Sequence, residues 1–451
     1  MEFTHPVVID PTGRDIHGEA DRIRERGPVT PVELPHGVPA WAVSSAPLLK
    51  RLLTDPRVSK DARRHWHRWL DGEVSPDWPL YTWVSVRNMF TAYGTEHKRL
   101  RTLVSKAFTA RRTAALRPRI EEITAALLDR VAKAGAGGGA DGHAVDLREE
   151  FCYPLPIQVI GELLGLPEEL GPELRVVVDG VFHTSADAAE VADIYARFYA
   201  VLGELVAVKR AAPGDDLTSA LIAAREEESG TRLSEQELLD TLMLMISAGH
   251  ETTVNLLDNA VHALLTHPDQ LAHVRGGRAS WDDVIEETLR AEAPVASLPL
   301  RYAVEDLPLG ELGGPDGKVI RKGEAILAAY SAAGRDPEQH GPDAGAFDVT
   351  RAVKDHLAFG YGVHHCLGGP GRITGGRVRG ILLLQRPHLA LEDPHRAAER
   401  TRRVGQFLRA EQDDHRDRHD QQMPGLQSVA QHVMPSLSST VATLRNCTTP
   451  G

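Results

Sequence analysis

Cysteine is scarce: Cys152, Cys366 and Cys447 are the only three in 451 residues. An odd, widely spaced set makes no metal-type pair and cannot be wholly disulfide-bonded. It excludes a disulfide scaffold and fits a reducing cytoplasm. Long apolar runs are missing as well. No stretch approaches the roughly 18 uninterrupted apolar residues of a membrane span, and residues 1–10 carry acids and a proline without an apolar leader core. The expectation is a cytoplasmic protein with no membrane partner. Positive charge is in deficit, 51 Lys+Arg against 63 Asp+Glu for a net charge of −12, which argues against general nucleic-acid binding. Repeats and long linkers are absent too, so the length, which alone suggests about three domains, is read as one large core. A composition 42% hydrophobic and 25% charged is sufficient to bury such a core.

The most informative stretch is Ala358-Phe359-Gly360-Tyr361-Gly362-Val363-His364-His365-Cys366-Leu367-Gly368. It ends a glycine-jointed turn in a cysteine, behind an aromatic and a histidine. The glycines permit positive φ and close backbone approach, so the loop can fold tightly under a flat ligand. By its residues alone, Cys366 is either a buried structural cysteine or a thiolate placed to ligate iron. The spacing Phe-Gly-x-Gly-x-His-x-Cys-x-Gly resembles the haem-binding loop of the cytochromes P450, the haem-thiolate monooxygenases. That resemblance implies a mainly α fold with a small β region, formed as a single domain over residues 1–410. Haem b (iron protoporphyrin IX) lies between a long central helix and the cysteine loop. Cys366 is then the fifth iron ligand, and Phe359, Gly360 and His364 border the cofactor.

Earlier in the chain, residues 28–44 read as two short strands around Pro35-His36-Gly37, and 46–53 as a helix. Residues 61–90 show no period but hold four tryptophans, Trp66, Trp69, Trp78 and Trp83. The segment is either a functional lid or a poorly ordered loop, and the family has its mobile loop over the substrate pocket here. Residues 94–107 return to helical spacing with His97 and Arg101 at i and i+4. On a bland helix these would be solvated; the resemblance makes them donors to the haem propionates. A second helix spans 113–134, ended by a glycine run at 135–142 that follows a helix instead of a strand and so lacks phosphate-binding geometry. Residues 147–165 and 187–210 read as amphipathic helices with 176–185 between them. There Phe182 is a pocket-lining candidate or an ordinary packing residue. Met89 is a further pocket candidate.

Ser234-Glu235-Gln236-Glu237 is a capping-box signature opening a helix from 235 to about 267, apolar on more than one face and therefore buried. In its middle stands Ala248-Gly249-His250-Glu251-Thr252-Thr253. Poor helix formers inside a strong helix mark a functional site. The stretch resembles the family's oxygen-activating motif, Ala-Gly-x-Asp/Glu-Thr. The resemblance gives Thr252 the hydrogen bond to oxygen, Glu251 the proton relay, and Ala248 and Gly249 the task of leaving the haem face room. Glu287 and Arg290, at i and i+3, are similar to the family's buried Glu-x-x-Arg, completed by Arg351, a structural network behind the cysteine loop. Arg301, in a short strand after Pro294, matches a further propionate ligand, with Val295 and Leu298 facing the substrate. Strands punctuated by Gly and Pro up to Tyr330 make a small sheet.

After Gly368 the chain departs from the family pattern. Gly369 to Gly376 replaces a helical start with glycines and a proline, at about 1 and 3 kcal/mol per interior residue respectively. Residues 381–391 and 407–409 resume the pattern loosely, and 411–451 read as a disordered tail. His415 and His419 lack a third metal ligand and read as part of a solvated charge run. The text at 88–97 and 182–185 is similar to the actinomycete 154 group of the family. The implied reaction inserts one oxygen atom from O2 into a hydrophobic small molecule, a steroid, macrolide-like compound or aromatic natural product of secondary metabolism. Electrons then come from NAD(P)H indirectly, through ferredoxin reductase and ferredoxin. Basic residues at 98, 99, 106, 111 and 112, and at 372, 377 and 379, are candidates for the donor's docking side. Glu251-Thr252 argues against a peroxide-using relative. The alternative is a haem- or ligand-binding protein whose turnover is impaired by the atypical segment after Cys366.

Overall fold

The computed structural model describes residues 5–11, 13–136, 145–181, 188–225 and 230–369. All lie in the first of two units, residues 1–389; the second is 390–451. Phe182, the glycines of 137–142, the atypical segment from 370 onwards with its arginines, and His415 and His419 lie outside the described residues.

Helices dominate, with a small β region, as the cysteine-loop resemblance implies. Five helices position the site: α1 (Gly94–Ala107), α2 (Pro154–Leu164), α3 (Ala188–Ala211), α4 (Glu235–Thr266) and α5 (Trp281–Ala291). Helix α4 starts where the sequence places it. Glu237 N–H donates to Ser234 Oγ at 3.3 Å, and Ser234 N–H to Glu237 Oε2 at 2.8 Å. Its first half buries Leu238, Leu242, Met243 and Ile246 in a cluster with Ile160 and Leu164 of α2 and Phe198 and Leu202 of α3. Its second half buries Val254, Leu257, Ala260 and Leu264 in another, with Leu289 of α5. Each fully buried leucine or isoleucine contributes about 1.5–3 kcal/mol, so the polar middle of α4 is held by its two apolar ends.

The strands are β1 (Val7–Val8), β2 (Val29–Leu34), β3 (Val38–Val43), β4 (Val58–Ser59), β5 (Leu298–Ala303), β6 (Leu307–Pro308), β7 (Val319–Ile320) and β8 (Ala325–Ala328). β2 and β3 form the expected hairpin around Pro35–Gly37. They then join β8, β5 and β4 in one six-stranded sheet of order β1-β2-β3-β8-β5-β4, while β6 and β7 pair separately. Alternation along β3 sends Trp41 and Val43 to one cluster and Ala40 and Ala42 to the other, so the sheet is buried on both faces.

Two expectations change. Within residues 61–90 the chain is not a poorly ordered loop. It forms short helices at Ala62–His65, His67–Leu70 and Tyr81–Ser85. Trp66 stacks on Tyr302 of β5 at 5.3 Å, Trp69 stacks on Tyr81 at 5.4 Å, and Trp78 Nε1–H donates to Pro35 O at 2.9 Å. The tryptophans are anchors, and their lack of period reflects packing against a sheet on several sides. Residues 176–181, read as a connection, finish a helix, Gly171–Val181, whose Leu174, Val177 and Val178 are buried. No helix among the described residues is long and apolar enough to cross a membrane.

Candidate active site

The cysteine loop is closed by its own backbone. Gly360 N–H donates to Leu357 O at 2.8 Å, Cys366 N–H to Phe359 O at 2.9 Å and His365 N–H to Gly362 O at 3.0 Å. Gly360 and Gly362 have φ of +69° and +71°, left-handed conformations that glycine adopts without strain. At Gly362 a Cβ would also stand 2.5 Å from Leu53 O. Cys366 is an exposed thiol, and the other cysteine among the described residues, Cys152, is a buried one. Helix α1 grips the loop from one side. Arg101 Nη2 donates to His365 O at 2.6 Å, and Leu367 joins the buried cluster containing Val104 and Ala107.

Around His364 the chain gathers cations. His97 of α1 lies with its ring 4.0 Å from the His364 ring, and burial, then Arg101, pushes its pKa down to about 4. His364 is pushed down further, by burial first and then by His97, Lys60, Arg301 and Arg101. Both rings are therefore neutral at pH 7. His97 Nε2 and Arg301 Nη1 are buried with no hydrogen-bond partner in the protein. Buried donors left without partners are costly, about 1–3 kcal/mol each and more when charged, so such a cluster is built for anionic acceptors. Lys60, 4% exposed, is part of it and was not legible in the sequence.

On α4, Ala248 is exposed in the middle of an otherwise buried helix, and Thr252 is half-buried one turn on. Thr252 Oγ1 donates to Ala248 O at 2.7 Å and Thr253 Oγ1 to Gly249 O at 2.8 Å, back-bonds that loosen a helix locally. At Gly249 a Cβ would meet Ile160 Cδ1 at 3.3 Å, so its smallness also lets α2 pack on α4. Glu251 pairs with Arg148, whose Nη2 donates to Glu251 Oε1 at 3.1 Å while Nη1 reaches Asn255 Oδ1 and Asp258 Oδ2, each at 3.3 Å. Arg148 opens a π-helical turn, Arg148–Cys152, before α2. Sequence reasoning missed it because nothing local ties it to residues 251, 255 and 258, one face of α4. His250 points the other way, fully buried, Nε2 3.3 Å from Tyr153 O, with burial holding its pKa near 4.

Behind the loop, Glu287 and Arg290 are both wholly buried and joined by two 2.7 Å hydrogen bonds. Arg351 Nε stands 3.7 Å from Glu287 Oε1, and its Nη1 donates to His340 O at 3.0 Å. Met89, Val295 and Leu298 are half-buried. Of the basic residues on and after α1, Arg99 is matched by Glu96 and Glu237 and Arg112 by Asp215, while Lys98 and Arg111 are exposed.

The cytochrome P450 family model matches residues 191–276 and 281–370. The 2-hydroxy-5-methyl-1-naphthoate 7-hydroxylase of Streptomyces carzinostaticus is 44% identical over 80% of this chain and 85% of its own. The chain belongs to the cytochrome P450 family and is a haem-dependent monooxygenase. Within it, the chain is similar to CYP154A1 from Streptomyces coelicolor A3(2), with 54% identity, a TM-score of 0.76, and coverage of 86% of this chain and 94% of that one. It is also similar to testosterone-bound CYP154C4 from Streptomyces sp. ATCC 11861, with 42% identity, a TM-score of 0.77, and coverage of 87% and 95%. The residues present fit the haem that the family carries. His97 Nε2 and Arg301 Nη1 are buried donors that no protein group satisfies and that its propionates could take up, the cysteine is accessible, and Ala248 is exposed on the helix.

Proposed function

We propose that this P450 hydroxylates a hydrophobic ring-bearing natural product, of steroid, macrolide-like or aromatic type, with Cys366 as the iron ligand. Bound haem supplies the activation of O2. The chain's residues supply the rest. His97, Arg101 and Arg301 hold the propionates, and Phe359, Gly360 and His364 shape the cofactor's border. Thr252 holds a proton at Oγ1 beside Ala248. Glu251 delivers protons to it, the pairing with Arg148 orienting the carboxylate until it turns inward. Met89, Val295 and Leu298 line the substrate side. Glu287, Arg290 and Arg351 fix the backbone that presents Cys366. The observation that carries the reading is the buried cluster of cations and unmatched donors beside the cysteine loop, which the carboxylates of a haem would satisfy. The substrate class rests on the naphthoate hydroxylase and the testosterone-bound relative. Electrons reach the enzyme in the cytoplasm from NAD(P)H through a reductase and an acidic ferredoxin, steered by the exposed Lys98 and Arg111. Thr252→Ala tests the proton role. It should bind substrate as wild type does, while product per NADPH falls at least several-fold and hydrogen peroxide rises. Coupling equal to wild type would refute it.

A further inference from the structure

Lys60 follows β4 directly, and β4 pairs with β5 so that Ser59 stands opposite Tyr302; the register brings Lys60 beside Arg301. A lysine at a strand end normally carries its charge to water along a flexible stem. This one turns inward and is 4% exposed. Its ammonium donates to Pro299 O at 3.2 Å and lies 3.8 Å from the centre of the Phe90 ring. A carbonyl and a ring face leave one of its three donors over, and neither carries a negative charge. The nearest acid in sequence, Asp61, is occupied capping Arg63 N–H at 3.1 Å. Burial and the neighbouring Arg301 both pull the Lys60 pKa well below its ordinary value, and Lys60 acts in turn on His364. Lys60, Arg301, His97 and His364 thus gather into one cluster beside the cysteine loop. Two of them carry donors with no protein partner.

We propose that Lys60 is a carboxylate-binding residue of this site, donating with Arg301 to one haem propionate. The inference rests on the haem-thiolate reading and adds to it a residue that also touches Phe90, so that one side chain ties the propionate edge to the segment carrying Met89. The same carboxylate chemistry is offered by an acidic substrate. The cluster with His364 and Arg301, next to the loop that carries Cys366, favours the propionate.

The test is haem transfer from the purified holoprotein to excess apomyoglobin, for wild type, Lys60→Met and Lys60→Arg. Losing one charge-assisted hydrogen bond should speed haem loss about tenfold in Lys60→Met, with Lys60→Arg close to wild type. The same proteins reconstituted with iron protoporphyrin dimethyl ester, which has no carboxylates, should lose it at rates within about twofold of each other. An equal Lys60→Met effect on both porphyrins would overturn the proposal and leave Lys60 a packing residue. Unchanged haem loss together with weaker spectral binding of carboxylate-bearing but not neutral ligands would overturn it in favour of a substrate anion. Should Lys60→Met not fold, Lys60→Gln carries the same comparison with a polar neutral side chain. Absence of a thiolate-type CO spectrum in wild type would sink the haem-thiolate reading by itself, before any variant is compared.

Discussion

Arg290→Lys keeps the charge beside Glu287 and removes the geometry. All five guanidinium donors are used. Nε and Nη2 reach Glu287 at 2.7 Å each, Nη1 reaches Gly334 O at 2.8 Å and Ala344 O at 2.7 Å, and Nη2 reaches Ala346 O at 2.7 Å. An ammonium has three donors at one point, so at least two acceptors lose their partners. Each buried acceptor so stranded costs about 1–3 kcal/mol, giving a loss of about 2–6 kcal/mol. That is a large part of the 5–15 kcal/mol that typically holds a domain together, though roughly. The loss falls on the segment leading to the cysteine loop, since Glu287 Oε1 also accepts Asp348 N–H at 2.8 Å. Urea unfolding followed by far-ultraviolet circular dichroism and by the Soret band should show both midpoints lowered, with the Soret signal failing first. A variant within about 0.5 kcal/mol of wild type would refute the reasoning, because five satisfied donors could then be exchanged for three at no cost.

Gly362→Ala combines a φ of +71° with a Cβ 2.5 Å from Leu53 O, and should reduce haem content severely. Gly203→Ala in α3, where an added Cβ meets nothing within 4 Å, is the control and should be neutral or stabilising by about 0.4–1 kcal/mol; equal effects would refute the loop argument. His250 has a pKa near 4 in the fold against about 6.5 unfolded, so the unfolded chain takes up the proton first. Stability is therefore full above pH 6.5 and falls as pH drops towards 4, by up to roughly 3 kcal/mol from this residue. His250→Gln should flatten that part of the stability profile, and an unchanged slope between pH 6.5 and 4.5 would remove His250 from the account.

What was legible in the sequence was local or periodic. The capping box and the two apolar faces placed α4 to within a residue or so, and the hairpin at Pro35–Gly37 and the buried Glu287–Arg290 pair followed from short spacings and a family likeness. What was not legible depends on distant partners. β3 pairs with β8, with Trp41 opposite Ile326, and no local pattern announces it. Trp66 and Trp78 looked like a loop because their partners, Tyr302 and Pro35, belong to other elements. Nothing in the sequence marks Lys60 or Arg148, since only the packed fold turns one beside Arg301 and the other onto Glu251. The packing of Ile160 on Gly249 was not legible either, because a glycine's smallness does not say which neighbour requires it.

The central claim is that Cys366 ligates the iron of a haem held by this loop. The direct measurement is the visible spectrum of the reduced protein with CO, for wild type and for Cys366→Ser. Wild type should show the red-shifted Soret band of thiolate ligation, and the variant, at comparable haem content, should not. A wild-type spectrum without that band, or a variant that keeps it, would contradict the account.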